Sequence, residues 1–173
     1  MVGHNDRRPL ALGISPHTGW AACVVVGGSP RKPEIVANAV IDVLGDDERF
    51  CFHMAAEMEL PKVRPWLTRL RKKALANARR ALAPLITAEV IGGAVVATDR
   101  DPGPLDAILA AHPRIHTAEG CFYRDVFRDA CSVPVHLVPP KSLDAARIGK
   151  FATKPWGRDQ RLAALAAFSL LDR

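Results

Sequence analysis

The sequence predicts a single α/β domain on a mixed five-stranded sheet, with three antiparallel strands followed by parallel strands alternating with helices. Three observations carry that reading. The first three apolar runs are joined by connections too short for anything but hairpins. The apolar period then changes to steps of three and four residues from position 63. After that, apolar strands and helical stretches alternate to the end. At 173 residues the chain is one domain by length and buries about two-thirds of its unfolded surface. Residues 1–9 read as a flexible polar tail and 10–173 as the domain.

Residues 10–15 form the first strand and stop at Ser15-Pro16-His17-Thr18-Gly19, a turn signal. Residues 20–27, WAACVVVG, are apolar throughout, and Gly27-Gly28-Ser29-Pro30 turns the chain into a third strand at 34–43. Between 63 and 86, Val63, Trp66, Leu67, Leu70, Ala74, Ala78, Leu82 and Leu85 make one helical stripe. Pro65 suits the first turn of that helix, and Pro84 ends or kinks it. VIGGAVVA at 90–97 is the fourth strand, buried on both faces. A short helix at 104–111 closes at Pro113, and a second begins near Thr117, burying Phe122, Val126, Phe127 and Ala130. VPVHLV at 133–138 is the fifth strand, and 158–171 is a last helix of Ala and Leu on its inner side.

A net charge of +6 and a pI near 9.5 favour nucleic acid, nucleotides or acidic surfaces as partners. Cys23, Cys51, Cys121 and Cys131 form no CxxC pair and read as reduced, mostly buried thiols, which implies a cytoplasmic protein. The basic start, MVGHNDRRP, is a poor signal peptide because Ser15, Pro16 and His17 break the apolar stretch behind it. No apolar run approaches the roughly 20 residues of a membrane span, so no membrane partner is expected. There is no GxSxG, Walker loop or GxGxxG.

Three segments carry a resemblance. GISPHTGWA at 13–21 resembles the GIDPGTGWA type of segment that opens RuvC-like Holliday-junction resolvases, and GRDQRLAALAAFSLL at 157–171 resembles their acidic, alanine-rich last helix. The element order is that of the ribonuclease H-like fold. IHTAEGCFYRDVFRDA at 115–130 resembles a segment of a related family of small bacterial proteins of unknown function. The resemblance implies that the first and fourth strands lie side by side, their carboxyl ends at a common cleft. Ser15, His17 and Thr18 then face Thr98, Asp99 and Asp101, with Asp159 from the last helix and Glu119 from the preceding one.

In the resolvases the last position of the first strand is a metal-binding aspartate, and here it is Ser15. Two Mg²⁺ or Mn²⁺ ions about 4 Å apart need several carboxylates, one usually bridging. A neutral hydroxyl removes a full negative charge from that site. Asp99, Asp101 and Asp159 are the candidate catalytic acids if the chain is an enzyme, and Asp99 and Asp159 the candidate ligands for one ion. Each has a structural alternative: Asp159 and Glu119 suit helix first turns, and Asp99 and Asp101 suit a turn.

The hairpin turn with Ser15, His17 and Thr18 also offers hydroxyls and N–H groups of the kind that hold phosphate, and Glu119 is a further candidate ligand-binding residue. Actin-like ATPases, relatives in fold, use a similar hairpin twice over, and this chain is too short for two such domains. Lys62, Arg64, Arg69, Arg71, Lys72, Lys73, Arg79 and Arg80 have no acid among them from 60 to 88 and coat the exposed side of the long helix. Arg69, Arg71, Lys72, Lys73, Arg79 and Arg80 are the candidate phosphate contacts for DNA or RNA. His112 and His116, followed by Glu119, imitate a zinc spacing, but Pro113 is expected to keep one helix from presenting both imidazoles, leaving solvated loop histidines. Cys121 near a helix start is a candidate for mild activation.

The function expected from these residues is that of a divergent, non-catalytic ribonuclease H-like protein binding a phosphate-bearing ligand, nucleic acid first. The competing readings are a Mg²⁺- or Mn²⁺-dependent nuclease and an interaction module whose basic helix docks an acidic protein.

Overall fold

The computed structural model describes residues 8–29, 31–144, 146, 148 and 154–171, so most of the tail expected over 1–9 lies outside the described residues. The hairpin strands are β1 (Leu10–His17), β2 (Trp20–Ser29) and β3 (Lys32–Asp42). β4 (Val90–Val96) and β5 (Val135–Val138) complete one sheet in the order β3-β2-β1-β4-β5. β1–β2 and β2–β3 are antiparallel, while β1–β4 and β4–β5 are parallel. This is the mixed sheet predicted from the sequence.

The β1–β2 connection is a two-residue turn, Thr18-Gly19, with Gly19 at φ +89°. A side chain there is strained in the left-handed region, and a Cβ would also stand 2.7 Å from that of Arg49.

Among the described residues, five α-helices cover the two faces. α1 (Cys51–Ala56) is a short helix that no periodicity announced. α2 (Leu60–Leu82) begins three residues before the predicted start, with Pro61 in the first-turn place assigned to Pro65. Leu60 is 59% exposed, so the apolar stripe starts only at Val63 and hides the true beginning. A 3₁₀ turn, Ala83–Leu85, holds Pro84 where the helix was expected to break.

α3 (Leu105–Leu109) is shorter than predicted. α4 (His112–Ala130) begins five residues before Thr117. Pro113 sits in its first turn, where a missing N–H costs nothing, so it starts the helix instead of separating His112 from His116. The expectation of solvated loop histidines is therefore corrected: both lie one turn apart on α4. α5 (Arg158–Leu171) matches the predicted last helix. None of the described helices is long and apolar enough to cross a membrane.

The strand period of two divides the core. Leu12, Ile14, Cys23, Val25 and Val95 face α2 and α4, packing on Leu70, Ala74, Ala78, Phe122, Val126 and Phe127. Ala11, Val24, Val26, Ala94 and Val96 face α5, packing on Leu162, Ala163, Ala166, Ala167 and Phe168. Each large side chain fully buried there contributes about 1.5–3 kcal/mol of transfer free energy. Gly13 marks the closest approach of the layers: a Cβ on it would lie 1.7 Å from the carbonyl oxygen of Ala163. That contact places the start of α5 over the end of β1.

Candidate functional site

Ser15 lies two residues beyond Gly13 on the same face of β1, and Asp159 lies one helical turn before Ala163 on α5. The Gly13–Ala163 contact therefore sets Ser15 against Asp159. Ser15 is 5% exposed, and its Oγ stands 3.5 Å from Asp159 Oδ1, at the outer limit of a hydrogen bond. His17 Nε2 lies 2.9 Å from the same oxygen, and its ring stacks on Trp20 with centroids 4.3 Å apart. Thr18 is in the turn just beyond. Ser15, His17 and Asp159 thus meet, and one Asp159 oxygen faces two protein partners.

β1 and β4 are neighbours, with Gly13 opposite Ala94 and Ile14 opposite Val95. The pairing stops three residues short of Thr98, so Thr98, Asp99 and Asp101 stand on the loop past the strand and not directly abreast of Ser15. Asp101 Oδ1 accepts the Gly103 N–H at 2.8 Å and shapes that loop. Asp99 has its side chain 91% exposed, with Arg124 Nη1 3.9 Å away.

Arg124, on α4, is the residue that sequence reasoning missed. It is 7% exposed and donates to the carbonyls of Thr98 (3.1 Å) and Arg100 (2.9 Å), so it fastens the loop after β4 to α4. Hydrogen bonding to Asp125, opposed by burial, raises its pKa further above the ordinary arginine value, so the guanidinium stays charged. A cleft of about 370 Å³ opens beside it, lined by Pro16, Thr98, Arg100, His116, Thr117 and Arg124 among others, and among the described residues no carboxylate lines it.

Glu119 does not face this cleft, contrary to expectation. It is 3% exposed, and its Oε1 accepts the backbone N–H groups of Phe52 (3.1 Å) and His53 (3.3 Å). Its Oε2 lies 2.9 Å from His53 Nδ1. A buried carboxylate needs such partners, and here it caps α1, whose own N-cap residue, Phe50, makes no side-chain bond.

A pair of Mg²⁺ or Mn²⁺ ions does not fit these residues. Ser15 is neutral, Asp159 is engaged by Ser15 and His17, Asp101 shapes a turn, and Asp99 stands in solvent beside Arg124. Among the described residues no three of these acids converge closely enough to share an ion.

The basic helix is partly neutralised through tertiary contacts. Arg71 pairs with the Asp129 carboxylate, Arg79 donates to the Asp129 carbonyl, and Lys73 pairs with Glu48. Residues on a helix turn by about 100° each, so Lys72 points outward while Arg71 and Lys73 flank it and reach neighbouring elements. Among the described residues, no carboxylate pairs with Arg69, Lys72, Arg79 or Arg80, all of them exposed.

Cys121 is not activated. Burial pushes its pKa up, and its thiol donates to the Arg100 carbonyl at 3.2 Å. Burial likewise raises Cys23, takes Cys51 from 9.0 to about 12, and takes Cys131 to about 11. A raised pKa leaves less thiolate at any pH below it, and the thiolate is the nucleophile. At pH 8 the folded protein should therefore react with an aromatic disulfide reagent about a hundredfold more slowly than the denatured protein, where all four thiols titrate. Prompt labelling of Cys121 in the native state would contradict this placement.

No protein-family model matches the chain, and no curated protein does. Among solved structures, T. thermophilus RuvC in complex with Holliday junction substrate is similar, with a TM-score of 0.53 and 13% identity over 93% of this chain and 91% of that one. A second Thermus thermophilus RuvC structure gives a TM-score of 0.47 and 14% identity over 92% of each chain. The chain has the ribonuclease H-like fold.

Proposed function

We propose that this chain binds a phosphate-bearing ligand, nucleic acid, at the cleft beyond β1 and β4 and along the outer face of α2, and that it does so without two-metal cleavage. One observation carries the reading: among the described residues the cleft presents the exposed Arg100 and the Thr98 hydroxyl with no carboxylate in its lining, beside Arg124, which Asp125 and two loop carbonyls hold in place. That composition suits an anion. Guanidinium groups and hydroxyls bind phosphate oxygens without reading sequence. The fold likeness to a RuvC solved with a junction substrate supports the same class of ligand. The cations of α2 without a carboxylate partner extend the positive surface in the manner of sequence-independent backbone contacts.

The test is fluorescence anisotropy with labelled duplex, four-way and single-stranded DNA and with RNA. If about five phosphates are neutralised, log affinity should fall against log salt with a slope near −4.5 on duplex DNA. Arg69→Glu, Lys72→Glu and Arg80→Glu together should lower affinity at least tenfold and flatten the slope by roughly three. Arg100→Glu should weaken binding by itself. If both changes leave affinity and slope as they were, the nucleic-acid reading fails.

A further inference from the structure

We propose that His53, His112 and His116 form a mononuclear site for a transition-metal ion, zinc by ligand class, on the outer side of α1 and α4. One ligand atom from each residue lies within 4.8 Å of the others. The ring centroids stand 4.5 Å (His112–His116), 4.7 Å (His53–His116) and 5.3 Å (His53–His112) apart. Zn–N bonds of about 2.0–2.1 Å in a tetrahedral shell put ligand nitrogens roughly 3.3 Å apart, so the rings need close by only about 1.5 Å. His112 and His116 are exposed and free to make that rotation.

His53 is held in place. A carboxylate only accepts, so Glu119 Oε2 at 2.9 Å assigns a proton to His53 Nδ1, and the neutral imidazole so held turns its Nε2 lone pair to a metal. The other Glu119 oxygen takes two backbone N–H groups of α1, which locks the carboxylate itself. A buried carboxylate that fixes the tautomer and direction of one imidazole is the outer-shell arrangement usual for histidine metal ligands.

The other two ligands come from an i, i+4 pair on one helix face, whose first turn is stiffened by Pro113. Neutral imidazole nitrogens select zinc, copper, nickel or iron over magnesium. Three protein ligands leave a fourth position open to water or an anion. His116 also lines the anion cleft, so the ion would stand at its border. The metal site does not depend on the nucleic-acid reading, since it rests on the imidazoles and Glu119 alone.

The competing account is edge-to-face ring packing, which the interplanar angles of 67–85° also satisfy. Calorimetric titration of ZnCl₂ into the full, tag-free chain after chelator treatment and dialysis separates the two, with Co²⁺ absorption as a reporter of coordination. The expected result is one Zn²⁺ per chain with a Kd of about 1 µM or tighter, and visible Co²⁺ bands of a four- or five-coordinate ion. His112→Ala with His116→Ala, at exposed positions, should weaken binding at least a hundredfold while leaving the circular dichroism unchanged. Glu119→Gln should weaken it about 10–100-fold, and Asp159→Asn should leave it unaltered. No saturable uptake of either ion, uptake undiminished in the double histidine variant, or uptake abolished by Asp159→Asn would each overturn the assignment.

Discussion

Gly13→Ala should lower the melting temperature by about 6–12 °C, the largest stability effect expected from adding one methyl group to this chain. The added Cβ would meet the Ala163 oxygen at 1.7 Å and its carbonyl carbon at 2.4 Å. Both are backbone atoms, so no rotamer change relieves the clash and α5 must move off the sheet. Overpacking of this kind costs about 1–3 kcal/mol, and more when backbone has to shift. At roughly 2–4 °C per kcal/mol for a domain of this size, a cost of about 3 kcal/mol, the upper end of that range, gives the stated fall.

The displacement would also separate Ser15 from Asp159, which the same contact aligns. Gly120 provides the contrast, because it lies inside α4 with nothing within 4 Å of an added Cβ. Gly120→Ala should therefore stabilise by about 0.5–1 kcal/mol through helix propensity. Thermal unfolding followed by circular dichroism reads both. A Gly13→Ala protein melting within 2 °C of the parent would mean that β1 and α5 do not meet as described.

No Mg²⁺- or Mn²⁺-dependent cleavage of duplex, branched or single-stranded nucleic acid should exceed the buffer blank. A missing bridging carboxylate removes several kcal/mol of charge stabilisation in the transition state, and about 4 kcal/mol already slows turnover a thousandfold. Ser15 supplies no charge, the Asp159 oxygen is taken up by Ser15 and His17, and Asp99 stands in solvent with Arg124 3.9 Å away. Gel assays over time with end-labelled substrates are the measurement. Clear turnover by the wild type that disappears in Asp99→Asn and Asp159→Asn would defeat this prediction and return the chain to the nucleases.

The sequence by itself determined the sheet and most of its helices. Turn chemistry at Ser15–Gly19 and Gly27–Pro30, and the switch from strand period to helix period at Val63, are local signals written in neighbouring residues. Ser15, at the position where the resemblance implies an aspartate, was equally legible, although β1 runs two residues further, to His17. Tertiary structure decided which groups share a site.

Asp129 is 58 residues from the Arg71 it pairs with, and Glu48 is 25 from Lys73, so a run free of acids in sequence is not free of them in space. Glu119 reaches back 66 residues to His53, which turns an expected ligand-binding acid into the cap of a helix that sequence reasoning did not see. Pro113 was read as a barrier because proline breaks helix interiors. Packing of Ile115, Ala118 and Phe122 instead put it in a first turn, where it is tolerated, and brought His112 and His116 to His53. Periodicity records which face of an element is buried. It carries no record of the partner that buries it, and long-range charge and metal-ligand constellations depend on that partner.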